Sequence, residues 1–454
     1  MTTLPRLAWF SLRTHWGVLA ASSLFYAAVI SALTIPSSYL ESAAEMADGK
    51  QRQAIMAISI NSIIWTSIAF LFFSPAVSRF IVRIQQDEIG RWRLIGISSA
   101  SLFSVVVLQS TVGLLVGAAL AVPVSALGLK VVELLLDSIP LNNTGLLLIP
   151  ADFHIGIGTI ALVTSVLLTF ALSLLAAVRT VFIIFSIPPL ASLDARAGHS
   201  HFDRRRTLAG VAWRGIQLAI LAGILWITAS VDEKERGIFV IGAGVLFTWI
   251  FTGVLGRRVF AGIAGGMRLL IPGATGIAVK TSLLQLFRIA MPALLPLGIM
   301  CSLSGIVLTV SNVDSVKYGG GVELIDFMLL FSGILFVGVA ASLIVIVLCM
   351  QESLAELHRI RMQGMSPSAL LSVLALACIA IVVGMAVTCL AAITFVVIIV
   401  RLSSGVGFSD IMPAIDVQVS VAFGAVTGVF LTFLSIAVLG DLFRRYPRYG
   451  LLES

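Results

Sequence analysis

Long apolar runs dominate the chain, and most of them are long enough to cross a lipid bilayer. A helix needs about 20 mainly apolar residues to span the hydrocarbon core. The pattern predicts ten spans, numbered in chain order and with soft ends: 17–37, 54–78, 98–126, 154–187, 208–230, 237–256, 288–311, 325–350, 367–400 and 417–440. Several runs exceed the required length, which indicates tilted helices or helices that extend beyond the membrane.

Composition points to the same class of protein. Of the 454 residues, 59% are hydrophobic and 11% are charged, and the mean hydropathy is +1.09. Soluble domains carry about 25% charged residues, so the sequence predicts an all-α polytopic membrane protein. The four cysteines lie within or at the end of apolar runs and form no C-x-x-C pair. We therefore expect them to pack as small apolar side chains rather than to hold a metal.

Basic residues are distributed unevenly between the predicted loops. With the N-terminus inside, 22 of the 29 Lys and Arg residues fall on the cytoplasmic side, and 14 of the 22 Asp and Glu residues fall outside. This bias predicts a multi-pass protein of the plasma (inner) membrane with both termini in the cytoplasm. Clusters such as 204–206 are expected to meet anionic lipid headgroups, and no nucleic-acid partner is expected.

A short charged segment occurs twice, 268 residues apart. Residues 88–98 read EIGRWRLIGIS and residues 356–366 read ELHRIRMQGMS. Five offsets coincide: Glu88, Arg91, Arg93, Gly96 and Ser98 in the first copy match Glu356, Arg359, Arg361, Gly364 and Ser366 in the second. Each copy follows one apolar span and precedes a longer one.

A second match supports a repeat of whole helix groups. Residues 149–152, which introduce span 4, resemble residues 412–416, which introduce span 10. We predict two parallel four-helix repeats, spans 1–4 and 7–10, with an inserted pair, spans 5 and 6. The expected divisions are 1–188 for the first repeat, 189–286 for the linker and inserted pair, and 287–454 for the second repeat.

The residue types within the repeated segment predict its local shape. Gly96 and Gly364 permit a sharp reversal of the backbone. Ser98 and Ser366 can cap the helix that follows, and Pro367 suits the first turn of such a helix. The preceding charged helix is then either a surface that docks in a groove of another protein or an ordinary capped helix at the membrane interface.

With these motifs, the chain resembles the FtsX-like permeases of ABC transporters, the group that includes the MacB, lipoprotein-releasing and bacitracin-export permeases. Ten spans in a 4+2+4 order are most similar to the bacitracin-export branch. The chain departs from that pattern because only residues 38–53 and 312–324 are available where relatives carry a large extracytoplasmic domain. The resemblance implies that the ten matched residues of 88–98 and 356–366 belong to two coupling helices seated on ATPase subunits.

The resemblance also implies a function and its partners. The sequence contains no G-x-x-x-x-G-K-[ST] motif, so ATP and Mg are expected in a separate P-loop ATPase, two copies per chain, and not in this chain. The chain is then a non-catalytic permease without a cofactor or metal of its own. Its expected task is export or extraction of a hydrophobic or amphipathic cargo, such as a lipid or peptide antibiotic. The alternative is a non-transporting FtsX-like scaffold that transmits ATPase motion to a cell-envelope partner.

Two further patterns bear on mechanism. The deep parts of the ten predicted spans contain no Asp, Glu, His or Lys, which disfavours a carrier driven by protons or sodium. Two G-x-x-x-G pairs, at 113–117 and 424–428, are expected to bring helices of the same chain close together rather than to join two chains.

Overall fold

A computed structural model describes most of the first half of the chain and part of the second. The described residues are 16–44, 49–137, 156–185, 203–231, 236–254, 332–344 and 367–404, with 262, 265, 266 and all of 298–310 except 300, 301, 304 and 308. Within these residues the secondary structure is helical and contains no strand. This agrees with the predicted all-α class.

Nine helices can be bounded in the described part of the chain. They are α1 (Trp16–Ala44), α2 (Gly49–Ile84), α3 (Gln86–Leu94), α4 (Ser99–Asp137), α5 (Thr159–Phe185), α6 (Asp203–Ser230), α7 (Arg236–Val254), α8 (Ser332–Ile344) and α9 (Pro367–Ser404). The described residues within 298–310 are also helical.

Five helical segments are long and apolar enough to cross a membrane. They are Trp16–Ala44, Ile55–Ser74, Ser101–Leu134, Thr159–Ala176 and Val382–Leu402. Shorter apolar helices occupy Gly215–Ser230, Phe239–Thr252 and Ser332–Ile344. These helices indicate a membrane protein, as the apolar runs predicted. The count of ten spans stays a prediction, and its last member, 417–440, lies outside the described residues.

The chain forms two compact units. Unit 1 comprises Met1–Thr207 and Val322–Val345, and unit 2 comprises Leu208–Gly321 and Ile346–Ser454. The helix α8 therefore belongs to unit 1, although it lies late in the sequence. The three-part division into 1–188, 189–286 and 287–454 was drawn from sequence repetition, a different criterion, and stays a prediction.

In unit 1 the helices α1 and α4 approach so closely that their contact requires glycine. A Cβ added at Gly117 would lie 2.7 Å from the Cβ of Tyr26 and 2.8 Å from the carbonyl oxygen of Ser23. A Cβ added at Gly113 would lie 2.8 Å from the hydroxyl of Ser22. The first G-x-x-x-G pair thus packs against a helix of its own chain, as predicted.

The same two helices run parallel. Near their middle, the hydroxyl of Ser31 donates a hydrogen bond to the carbonyl of Ala121 at 3.2 Å. Further along both helices, Tyr39 and Leu129 belong to one buried cluster. Contacts therefore advance in the same direction on α1 and α4, which fits two helices that cross a membrane in the same sense.

The helix α2 runs antiparallel to α1. The rings of Phe25 and Phe70 stack with centroids 5.6 Å apart, whereas Ala43, at the far end of α1, clusters with Ile55 near the start of α2. The chain thus reverses between the two helices, as expected for consecutive spans.

The helix α5 is also antiparallel to α1, and a side chain of α1 caps its N-terminus. The backbone N–H of Ala161 donates a hydrogen bond to Oε2 of Glu41 at 3.0 Å. Gly158, immediately before α5, has no side chain to do this, so the Glu41 carboxylate satisfies an amide that a local cap normally satisfies. Further along α5, the hydroxyl of Ser165 donates a hydrogen bond to the hydroxyl of Ser37 at 3.5 Å, so the contacts move back along α1 as α5 advances.

In unit 2, α7 packs against α9 and against the helical residues of 298–310. The rings of Phe247 and Phe395 stack with centroids 4.1 Å apart and planes 8° apart. A Cβ at Gly244 would lie 2.8 Å from both Ile306 and Val396. The absence of a side chain at Gly244 therefore allows three helical segments to meet.

Candidate functional site

The candidate site is the first copy of the repeated segment, which forms a helix–turn–helix joint between α2 and α4. Gln85 alone separates α2 from α3. The backbone hydrogen bonds continue across it, because the N–H of Gln85 donates to Ile81 at 3.2 Å and the N–H of Ile89 donates to Gln85 at 2.9 Å. The short helix α3 is therefore joined directly to the end of α2.

Apolar side chains hold α3 against the start of α4. Ile89 and Leu102 are 2% and 1% exposed and form a buried pair. Trp92, Ile97 and Val106 pack around this pair. Otherwise α3 is rich in charged residues, with Asp87, Glu88, Arg91 and Arg93 among its nine residues. A polar helix is thus fixed in place by a small apolar anchor.

The end of α3 has the geometry of a Schellman motif. Gly96 has a φ of +90°, a backbone conformation that residues with a Cβ rarely adopt. The N–H of Ile97 donates to the carbonyl of Trp92 at 3.0 Å, which is the 6→1 bond of that motif. Trp92 and Ile97, which this bond joins, each also pack against the buried pair Ile89 and Leu102. The sharp turn predicted at Gly96 is therefore confirmed.

Ser98 caps the next helix. Its hydroxyl accepts a hydrogen bond from the N–H of Ser101 at 3.2 Å and lies 2.9 Å from the Ser101 hydroxyl. Its carbonyl accepts the bond from the N–H of Leu102 at 3.0 Å. These are the two bonds expected of an N-cap residue, and the predicted capping position of Ser98 is confirmed.

The charged residues of the segment have different surroundings. Arg91 is exposed. Glu88 is half-buried and already takes part in an interaction within the chain. Arg93 belongs to α3. Arg91 is thus exposed to solvent, whereas Glu88 already interacts within the chain, which the sequence did not indicate.

Sequence reasoning missed the most exposed part of the joint. Leu94 is 46% exposed and Ile95 is 79% exposed, at the end of α3 and the start of the turn. A signal was present in the sequence, because two adjacent apolar residues, Leu94 and Ile95, follow the charged stretch just before Gly96. The packing of α3 on α4 decides which of these apolar residues are buried as anchors and which are exposed, and the sequence alone does not specify that packing.

The second copy, 356–366, lies outside the described residues. The helix that follows it, α9, begins at Pro367, the residue after Ser366. The residues just before Pro367 lie outside the described part of the chain, so its predicted place in the first turn of that helix stays a prediction.

Hydroxyl groups within the helices mostly bond to their own backbone. Thr34, Thr66, Thr169, Thr248 and Thr388 each donate to the carbonyl four residues earlier, at 2.7–2.8 Å. This pattern satisfies a polar group in an apolar surrounding without a ligand. Among the described residues, no group of three or more His, Cys, Asp and Glu could hold a metal ion.

The comparisons with known proteins give no family. The chain matches no protein-family model, and it matches no curated protein.

Proposed function

We propose that the chain is the permease subunit of an ABC transporter of the FtsX-like kind. It would couple ATP hydrolysis by a separate ATPase to export or extraction of a hydrophobic or amphipathic cargo. The observation that carries the proposal is the joint at 88–98, a short charged helix with a fixed turn and cap between two long apolar helices, whose sequence is repeated at 356–366. Two such joints suit two ATPase subunits that act together.

The repeated segment preserves the positions that anchor α3. Every apolar residue of the anchor has an apolar counterpart 268 residues later. The pairs are Ile89 and Leu357, Trp92 and Ile360, Ile97 and Met365, Leu102 and Leu370, and Val106 and Leu374. The match therefore extends beyond the motif residues to those that would hold a second charged helix in place.

Helix packing supports a repeat of spans 1–4 by spans 7–10. In unit 1, Ser31 and Ala121 are bonded and 90 residues apart. In unit 2, a Cβ at Gly298 would lie 3.6 Å from Thr388, which is again 90 residues away. The two copies are 268 residues apart in sequence, so residues 31 and 121 correspond to 299 and 389. Each of these positions is one residue from the second pair, 298 and 388. Spans 1 and 3, and spans 7 and 9, thus meet in closely similar registers.

A contact within unit 1 also supports a repeat of spans 1–4 by spans 7–10. Thr66 of α2 occupies the space that a Cβ on Gly333 of α8 would need. In the proposed repeat α2 and α8 are equivalent spans, and position 333 corresponds to position 65. Equivalent helices therefore meet at nearly equivalent residues, as expected where two copies of one unit pack self-complementarily.

The proposed architecture has ten spans, with both termini in the cytoplasm of a cell with a plasma (inner) membrane. Its support is the distribution of Lys and Arg together with the alternating directions of α1, α2, α4 and α5, inferred from their contacts. On this topology the joint at 88–98 faces the cytoplasm, where an ATPase would be found.

Reconstitution tests the proposal. The first step is to look for a P-loop ATPase in the reading frames beside that of this chain; an ATPase found there is co-expressed with the chain, and the complex is purified and inserted into lipid vesicles. We expect a stable complex whose ATP hydrolysis rises when an amphipathic lipid or peptide cargo is added. Stimulation only by a cell-envelope protein would favour the FtsX-like scaffold instead. Failure of that ATPase to bind a folded chain would overturn the assignment.

A further inference from the structure

The hydrogen bond between α1 and α4 uses a carbonyl for which two hydroxyl groups compete. The hydroxyl of Ser31 donates to the carbonyl of Ala121 at 3.2 Å. Within α4 the same carbonyl accepts the backbone N–H of Ser125, four residues later. A carbonyl oxygen has two lone pairs, so these two donors occupy both of them.

The hydroxyl of Ser125 is consequently without a partner. Ser125 is 0% exposed, and its hydroxyl forms no hydrogen bond with any of the described residues. Hydroxyls elsewhere in the helices donate to the carbonyl four residues earlier, as that of the buried Ser342 does to Gly338 at 2.6 Å. For Ser125 that carbonyl belongs to Ala121, where Ser31 already donates. The bond between the helices therefore displaces a bond that α4 would otherwise form within itself.

Separation of α1 and α4 at this level costs no hydrogen bond. When the helices part, Ser125 can donate to the carbonyl of Ala121, and Ser31 can donate to the carbonyl of Ala27, four residues earlier in α1. One bond between helices is then replaced by two bonds within helices. This gain offsets the loss of apolar contacts on separation, so the two arrangements are close in free energy.

A proline follows this bond in each of the two helices. Pro36 lies inside α1 and Pro123 lies inside α4. The bonded pair Ser31 and Ala121 is 90 residues apart, so Pro123 is level with residue 33, about 4.5 Å from Pro36 along the helix axis. Proline removes a backbone hydrogen bond and favours a bend in the helix. Both helices can therefore bend at nearly the same level.

The first copy of the proposed repeat alone carries these groups. The residues that correspond to Ser31 and Ser125 are Ile299 and Ile393, which are 1% and 3% exposed. Neither proline has a proline at the corresponding position of the second copy. Buried isoleucines have no hydrogen bond to exchange, so unit 2 lacks this arrangement.

We propose that the Ser31–Ala121 bond is a latch that opens and closes, so that the ends of α1 and α4 beyond the two prolines separate and rejoin. In the closed state Ser31 donates to the Ala121 carbonyl, and in the open state Ser125 does. The close contact at Gly117 lies before the latch and keeps the two helices in register. On the proposed topology the separating ends lie at the outer face of the membrane, so the open latch exposes the interface between α1 and α4 to the outer leaflet. This motion belongs to the chain itself and needs no partner protein.

Distances between two spin labels on the full chain in lipid nanodiscs test the latch. The first pair, Ala44→Cys with Leu134→Cys, occupies exposed positions beyond the prolines. The control pair, Leu24→Cys with Leu115→Cys, occupies exposed positions before the latch. The four native cysteines are replaced by Ala in every variant. We expect two distances for the first pair, from the closed and open states, and one distance for the control pair.

Two substitutions should shift the populations of the first pair in opposite directions. Ser31→Ala removes the latch and should raise the ratio of the long distance to the short one by about threefold, as for an average hydrogen bond between helices in a membrane. Ser125→Ala removes the competing donor and should lower the ratio by a similar factor. Thr111→Val removes an α4 hydroxyl that donates to Val107 at 2.9 Å and should leave the ratio unchanged.

A single distance for the first pair in the parent chain would overturn the inference, as would equal ratios in Ser31→Ala and Ser125→Ala. Ser125→Ala keeps every bond of the closed state, so it remains a test if Ser31→Ala fails to fold: an unchanged ratio in that variant would show that no second donor competes. These distances are measured without an ATPase, so the latch and the proposed function can fail independently.

Discussion

The backbone N–H of Ile97 donates a hydrogen bond to the carbonyl of Trp92 at 3.0 Å, across the left-handed residue Gly96. This bond ends α3 and sets the direction in which α4 begins. The space around Gly96 is open, with nothing within 4 Å of an added Cβ. Any cost of substitution there therefore comes from the backbone conformation and not from a clash.

Replacement of Gly96 should separate these two causes. Gly96→Val should destabilise the joint by about 1–2 kcal/mol, because a β-branched residue disfavours positive φ. Gly96→Asn, a larger residue that tolerates this conformation, should cost less. Thermal unfolding in detergent compares the variants. Equal losses for Val and Asn would contradict the backbone explanation.

The cap of α4 gives a second prediction. Ser98→Ala removes the acceptor of the Ser101 N–H and should cost about 1 kcal/mol. Ser98→Asp retains an acceptor at the same position and adds a favourable charge at the helix N-terminus, so it should be close to the parent. Hydrogen exchange at the first turn of α4 measures the local effect. Unchanged protection in Ser98→Ala would show that the bond contributes nothing.

The packing of α1 on α4 predicts intolerance to volume at Gly117. Gly117→Ala places a methyl group within 2.8 Å of Tyr26 and Ser23, and overpacking of this kind costs about 1–3 kcal/mol. Its neighbour Val116 is 42% exposed, so Val116→Leu should be neutral. The two variants are compared by the temperature at which the detergent-solubilised chain stops giving a monodisperse peak. Equal temperatures would mean that the helices are further apart than described.

The cap supplied by Glu41 can be tested in the same way. Glu41→Ala leaves the N–H of Ala161 without its acceptor and should cost about 1–3 kcal/mol, the range for hydrogen bonds to charged groups. Glu41→Gln keeps a carbonyl oxygen in reach and should lose less. Protection of the Ala161 amide from hydrogen exchange is the readout. Equal protection in the two variants would indicate that another group satisfies this amide.

The local sequence was enough to predict the long helices on either side of the joint, its turn and its helix cap. Apolar run lengths placed the long helices, because helix formation in a membrane depends mainly on a continuous apolar segment. The turn at Gly96 and the cap at Ser98 follow from backbone preferences of single residues. Both were therefore visible within an eleven-residue window.

Features that depend on contacts between distant segments were not predicted. The exposure of Ile95 follows from the packing of Ile89 on Leu102, which no pattern in α3 alone specifies. The G-x-x-x-G pattern predicted close packing at Gly117 against a helix of the same chain, but only the fold identifies that helix as α1. Likewise, the internal engagement of Glu88 could not be inferred from its place in a charged segment.

The central proposal is that two ATPase subunits bind this chain, one at each of the repeated segments 88–98 and 356–366. Native mass spectrometry of the complex purified in detergent tests it most directly, because it counts the subunits bound to each chain. We predict two ATPase copies on the parent chain and loss of both in the folded double variant Gly96→Val, Gly364→Val. A folded parent chain without ATPase, or a double variant that still carries both copies, would contradict the claim.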